Sequence, residues 1–223
     1  MTKPSPELIV MLTRNDLTVP DAYRIFDECK GSKAKYWGIK EKPLKKSEMK
    51  KLISYMKDCG KTACIEVVEY TEPECLEGAE VAAECGCDIL LGSVFYDSVN
   101  AVCRENSLKY MPYVGRITGR PSVLHGTAAE MIEEAKSCIE KGAYGIDLLG
   151  YRYAGDASAL ISDFTGGFSS PVCLAGSVDS FEKLDEIKAL SPWAFTVGTA
   201  LFDGVFGGDF TSGINAIVDY IGR

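Results

Sequence analysis

Runs rich in β-branched and aromatic residues recur along the chain at a nearly even pitch. They are "LIVMLT" from Leu8, "YWGIK" from Tyr36, "ACIEVVEY" from Ala63, "DILLGSVF" from Asp88, "YMPYVGRI" from Tyr110, "YGIDLL" from Tyr144, "PVCLAG" from Pro171 and "AFTVGT" from Ala194. Their starts lie roughly 22 to 34 residues apart, the pitch of strand-plus-helix units rather than of hairpins. Between them run amphipathic patterns. Met49, Leu52, Ile53 and Met56 lie at i, i+3, i+4 and i+7; Met131, Ala135, Cys138 and Ile139 repeat the stripe, as do Ile214, Ile217, Val218 and Ile221. Gly31, Gly60, Gly86 and Gly142 stand where helices should stop, and Pro20, Pro73 and Ser180 where they should start.

Eight such units in 223 residues describe one (β/α)8 barrel, an α/β TIM barrel spanning residues 1–223 without a linker. A doubly wound open sheet is the alternative, but no G-x-G-x-x-G follows the first run. The formal net charge of -8 argues against a nucleic-acid backbone or an anionic membrane as partner. The apolar run in "MTKPSPELIVMLTRND" is too short for a secretory leader, and no run is long enough to cross a bilayer. Nine cysteines without a C-x-x-C pair, beside one histidine, read as reduced thiols of a cytoplasmic protein, not as structural zinc. No cofactor is expected. A divalent metal and a homo-oligomer stay open.

In a barrel the chemistry lies at the C-terminal ends of the strands. Those ends offer Thr13, Arg14 and Asp16 after strand 1, Lys40 and Glu41 after strand 2, Glu66 and Glu69 from strand 3, and Ser93 from strand 4. Strand 5 offers Arg116 and the loop with Arg120 and His125; strand 6 offers Asp147, then Tyr151 and Arg152. Arg14, Arg116, Arg120 and Arg152, with Lys40, are expected to gather at the mouth and favour an anionic substrate, although loop cations often just pair with nearby acids. Glu66 and Asp147 are candidate general acids and bases, and Lys40 a candidate electrophile or, if desolvated, a Schiff-base lysine. Counting in twos from Glu66 turns Glu69 outward. Cys64 and Cys173 read as buried packing residues, His125 as an exposed loop residue, and Trp37 and Trp193 as side chains that pack helices onto the barrel.

After strands 7 and 8 come two small-residue turns, Gly176-Ser177 and Gly198-Thr199. Strand-to-helix turns of this kind can hold a phosphate on backbone N–H groups, or can simply be tight turns. The stretch from Cys173 to Gly204 resembles the ribulose-phosphate-binding barrels, whose pattern is matched by Gly176, Ser177, Ser180, Glu182, Leu184, Gly198, Ala200, Leu201 and Phe202. Ser177 replaces that pattern's second glycine. The resemblance implies a phosphate site at Gly176, Ser177, Gly198 and Thr199 and a small phosphorylated sugar or related phosphometabolite as ligand. It does not select a reaction: paired metal-binding histidines and the D-x-K-x-x-D pattern are absent, and Asp147 stands where imine-forming relatives carry a lysine. The leading expectation is a phosphosugar isomerase or epimerase of carbohydrate metabolism working by acid–base chemistry through Lys40, Glu66 and Asp147. An aldolase or lyase using Lys40 is the second. A phosphometabolite-sensing regulator similar to antiterminator barrels is the third.

Overall fold

The computed structural model describes residues 5–222, so the first four residues of the N-terminal stretch weighed above lie outside it. Each apolar run forms a strand: β1 Glu7–Met11, β2 Tyr36–Lys40, β3 Thr62–Val67, β4 Ile89–Val94, β5 Lys109–Tyr113, β6 Ile146–Leu148, β7 Val172–Leu174 and β8 Ala194–Val197. All pair in parallel, in the order β6-β7-β8-β1-β2-β3-β4-β5. Helices α1 Ala22–Cys29, α2 Lys46–Asp58, α3 Glu72–Cys85, α4 Asp97–Glu105, α5 Ala128–Glu140, α6 Ala157–Gly167 and α7 Phe181–Leu190 follow the first seven strands. The short α8 Thr199–Phe202 and then α9 Phe210–Ile221 follow the last. This is a nearly closed (β/α)8 barrel.

Closure stops short between β5 and β6, for a reason written in the sequence. The Tyr144 N–H donates to the Tyr110 carbonyl at 2.8 Å, so residue 110 presents its backbone to β6. The residue two along faces the same neighbour, and it is Pro112, which has no N–H to contribute. β6 is only three residues long, and it forms no ladder with β5.

The expected helix stripes are the buried faces: Met49, Leu52, Ile53 and Met56 in α2, and Met131, Ala135 and Cys138 in α5. Ser180 caps α7 by accepting the Lys183 N–H at 3.3 Å, and Gly86 ends α3 at φ 72°. Trp37 meets Phe26 of α1 edge to face at 5.0 Å and so packs a helix onto the barrel as expected. Trp193 does not: its ring lies between Tyr36 and Tyr144, at 5.6 and 5.9 Å, and plugs the N-terminal end of the barrel.

Two cores result. The larger lies between sheet and helices; the smaller fills the barrel with Ile9, Met11, Cys64, Ile89, Leu91, Met111, Cys173 and Ala194. Side chains alternate along a strand, so two residues beyond each interior position comes the next inward one. From Met11 that is Thr13, from Cys64 Glu66, and from Met111 Tyr113; Gly38 and Gly145 lead likewise to Lys40 and Asp147. The apolar interior therefore ends in a polar layer. Among the described residues no helix is long and apolar enough to cross a membrane.

Candidate active site

Above that layer opens a cavity of about 410 Å3, lined from below by Lys40, Glu66 and Tyr113 and at one end by Gly176, Ser177, Gly198 and Thr199. Lys40 and Glu66 are direct partners in the β2–β3 register. Lys40 Nζ stands 2.9 Å from Asp16 Oδ1 and 3.6 Å from Glu66 Oε2. The Tyr113 hydroxyl donates to Glu66 Oε1 at 2.7 Å. Arg152, from the helical turn Gly150–Arg152 after β6, forks onto Asp16 with contacts of 2.9 and 3.0 Å. The result is one continuous row: Arg152, Asp16, Lys40, Glu66, Tyr113.

Asp16 reaches this row through local backbone chemistry. Thr13–Arg14 pairs with Leu17–Thr18 across a two-residue turn whose central residues, Asn15 and Asp16, have φ of 52° and 63°. Two left-handed residues make the tight hairpin turn for which Asn and Asp are among the preferred residues. The Thr18 hydroxyl donates to the Lys40 carbonyl at 2.9 Å and accepts the Lys40 N–H at 2.8 Å, which straps the hairpin to β2. Asx turn chemistry thus delivers a carboxylate to a lysine two elements away.

The protonation states follow from burial set against charge. Burial by itself would push the Lys40 ammonium down, but Glu66 and Asp16 outweigh it and hold the group above the usual lysine value. Burial would raise Asp16, and the hydrogen bonds and charges of Arg152 and Lys40 hold it well below the carboxylate range instead. Tyr113 is pushed well up by burial and then by Glu66, so it remains a donor.

Asp147 has no exposed surface, and neither of its carboxyl oxygens has a hydrogen-bond partner. Burial first, then the Glu66 charge, raises it far above an ordinary aspartate, while Lys40 and the nearby Gly92 N–H oppose the rise too weakly to reverse it. Its charged form is therefore disfavoured in the barrel interior. The linked stability has a definite sign. Above the ordinary value of 3.8 the unfolded chain has released this proton, while the folded chain holds it more tightly. Stability must then fall as pH rises toward the raised folded value, by up to about 1.4 kcal/mol per pH unit. Asp147→Asn removes that slope. Urea titrations at pH 5 and pH 8 should show the wild type losing ground to the variant between the two; parallel losses would mean that Asp147 ionises normally.

The glycines of the two turns have packing reasons of their own. Gly176 has φ 89°, and a Cβ there would stand 2.7 Å from Arg152 Cγ. A Cβ on Gly198 would stand 2.6 Å from Thr13 Oγ1 and 2.9 Å from the Thr13 carbonyl. The backbone N–H groups of Gly176 and Ser177 meet no acceptor among the described residues. The Thr199 hydroxyl accepts the Asn15 N–H at 3.2 Å, tying the β1 hairpin to the β8 turn.

The structure does not gather all the expected cations. Arg152 and Lys40 line the cavity; Arg14 stands at its rim on Asp203; Arg116 and Arg120 do not line it. β5 ends at Tyr113, not at Arg116, which belongs to the hairpin Arg116–Thr118/Val123–His125 and is exposed. Arg120 turns instead to the Val68 carbonyl and to Glu69 Oε2, the latter at 3.0 Å. Glu69 is consequently not an outer charge: it is 8% exposed, held between Lys42 and Arg120. Alternation failed there because β3 ends at Val67. Of the expected cations, Arg14, Lys40, Arg120 and Arg152 each face a carboxylate, which offsets their charge at the mouth.

His125 is half-buried and shares a 2.9 Å hydrogen bond with Thr118. Ser93 is buried against the Tyr110 hydroxyl at 2.8 Å. Cys64 and Cys173 are buried in the barrel interior. Among the described residues no cluster of three or more His, Cys, Asp or Glu side chains could hold a metal ion. Tyr113 is the lining residue that reading strand ends passed over; its signal was its place two residues after the interior Met111.

No protein-family model and no curated protein sequence matches the chain. Solved structures do. Tryptophan synthase from M. tuberculosis is similar with a TM-score of 0.69 at 14% identity, over 98% of this chain and 94% of that one. Orotidine 5′-phosphate decarboxylase from Pyrococcus horikoshii gives 0.67 at 16% identity, over 96% and 98%. N-acetylmannosamine-6-phosphate 2-epimerase from Clostridium perfringens gives 0.63 at 12% identity, over 87% and 86%. These neighbours share the (β/α)8 barrel, and at such identities the likeness concerns the fold alone.

Proposed function

We propose that this barrel is an enzyme of small phosphorylated metabolites that isomerises or epimerises a phosphosugar by moving a proton beside its carbonyl. The observation that carries the proposal is the Lys40–Glu66–Tyr113 row on the floor of a cavity that ends in the Gly176-Ser177 and Gly198-Thr199 turns. Support for the phosphate comes from the free Gly176 and Ser177 N–H groups, and from the names of two fold neighbours that specify phosphate-bearing compounds.

In this reading Glu66 removes a proton from the carbon next to the carbonyl. The C–H electron pair moves toward the carbonyl oxygen, and the ammonium of Lys40 stabilises the resulting enediolate. Glu66 then returns the proton to the former carbonyl carbon, while Lys40 gives a proton to the former carbonyl oxygen and takes one from the neighbouring hydroxyl, which completes an isomerisation. Tyr113 keeps the carboxylate aimed, and burial of Asp147 below disfavours a second negative charge beside it. Arg152 binds the substrate's polar end beside Asp16. An imine on Lys40 would need a neutral amine, and the pairing of Lys40 with Asp16 and Glu66 works against that.

Incubation in D2O with matched phosphorylated and free aldoses and ketoses, followed by NMR, tests this directly. Deuterium should enter the position beside the carbonyl of a phosphorylated sugar and not of its free counterpart, and borohydride should trap no adduct on Lys40. A reduced adduct on Lys40 without deuterium uptake would move the protein to the aldolase class.

A further inference from the structure

The phosphate end of the cavity carries a contradiction that a neighbouring side chain can resolve. Asp179 and Asp203 line the cavity beside the two glycine turns, so a phosphoryl group placed there would face two carboxylates. Each carboxylate already holds a cation, and the two cations are held differently. Lys183 Nζ is 2.8 Å from Asp179 and 2.6 Å from the Ser177 carbonyl, and it lies 5.1 Å from the centre of the Tyr151 ring. Arg14 makes one contact, Nη2 to Asp203 Oδ1 at 2.8 Å, and its side chain is 54% exposed. The backbone beneath Arg14 is nonetheless fixed, because the next residue, Asn15, donates its N–H to Thr199 of the β8 turn. A tethered backbone with a loosely held guanidinium above it is a side chain free to change partner.

Resting on the phosphosugar reading above, we propose that Arg14 is the phosphate clamp of this site and that Asp203 is its internal competitor. Without a phosphoryl group, Asp203 holds the guanidinium. An entering phosphoryl group takes it over, and the released carboxylate, 44% exposed, returns to water. The exchange runs downhill because an exposed single-contact ion pair contributes little, whereas a guanidinium binds phosphate through two parallel N–H groups. Arg14 would then discriminate phosphorylated from free sugars, and Asp203 would set how strongly.

The test is a double-mutant cycle read by calorimetric titration with inorganic phosphate at fixed ionic strength. Both side chains are half exposed, so the variants should fold, and circular dichroism checks that they do. Arg14→Gln should weaken phosphate binding by about 10- to 100-fold. Asp203→Ala should tighten it by about 2- to 5-fold, and should do so only while Arg14 is present. Equal tightening in the Arg14→Gln background would show a general charge effect and overturn the competition. Phosphate binding in the wild type that Arg14→Gln leaves unchanged would overturn the clamp and leave the phosphosugar reading standing. Absence of binding in the wild type and in Asp203→Ala, to phosphate and to every phosphosugar of the panel, would overturn both.

Discussion

Lys40→Met is expected to destabilise the protein by about 3–5 kcal/mol, as removal of one partner from a buried ion pair does. Methionine fills most of the space of the lysine stem, so the loss is chiefly that of charge. Asp16 retains the two-pronged contact with Arg152, and its exposure to water is substantial. Glu66 is 7% exposed and keeps only the Tyr113 hydroxyl, so the uncompensated charge falls on Glu66. For a chain of this length the melting temperature should drop by about 10 °C. Adding Glu66→Gln should restore most of it, because the double variant has no orphaned charge at the floor. Denaturant titration of the three proteins decides the matter: a single variant as stable as the wild type would mean that water reaches Glu66 freely.

Glu66→Gln should lower the rate of deuterium entry by about 10²- to 10⁴-fold, the usual contribution of a positioned general base. The substitution preserves shape and can still accept the Tyr113 hydroxyl, so binding of the phosphorylated ligand should change little. A rate that survives Glu66→Gln would take the base role from this carboxylate.

Much of this site was legible because it rests on strand alternation. Lys40, Glu66 and Asp147 each stand two residues beyond an interior position, and period-two counting reaches them whatever the loops do. The same count, carried past the strand end, misled at Glu69, where the chain had already left the sheet and the carboxylate turned inward to Lys42 and Arg120. Arg116 reads as a strand end, and that reading hides Tyr113. Arg116 and Arg120 belong to a hairpin whose path depends on tertiary contacts, such as the 2.7 Å bond between Ser122 and Tyr70, that no periodicity encodes. Asp16 had a readable signal. Asn15-Asp16 between Thr-Arg and Leu-Thr is hairpin chemistry, but its partner Arg152 lies 136 residues away and only the fold brings the two together.

The gap between β5 and β6 gives the barrel a parting line. Its two margins are joined at the Tyr110–Tyr144 end, while Tyr113 and Asp147 flank it toward the cavity. A stave held at one end can lean outward at the other without breaking a ladder, since Pro112 leaves none there to break. The far wall, by contrast, holds Lys40 against Glu66 in an unbroken ladder. Pro112 in effect divides the barrel into a laddered wall that sets Lys40 beside Glu66 and a seam held by side-chain packing instead of backbone pairing.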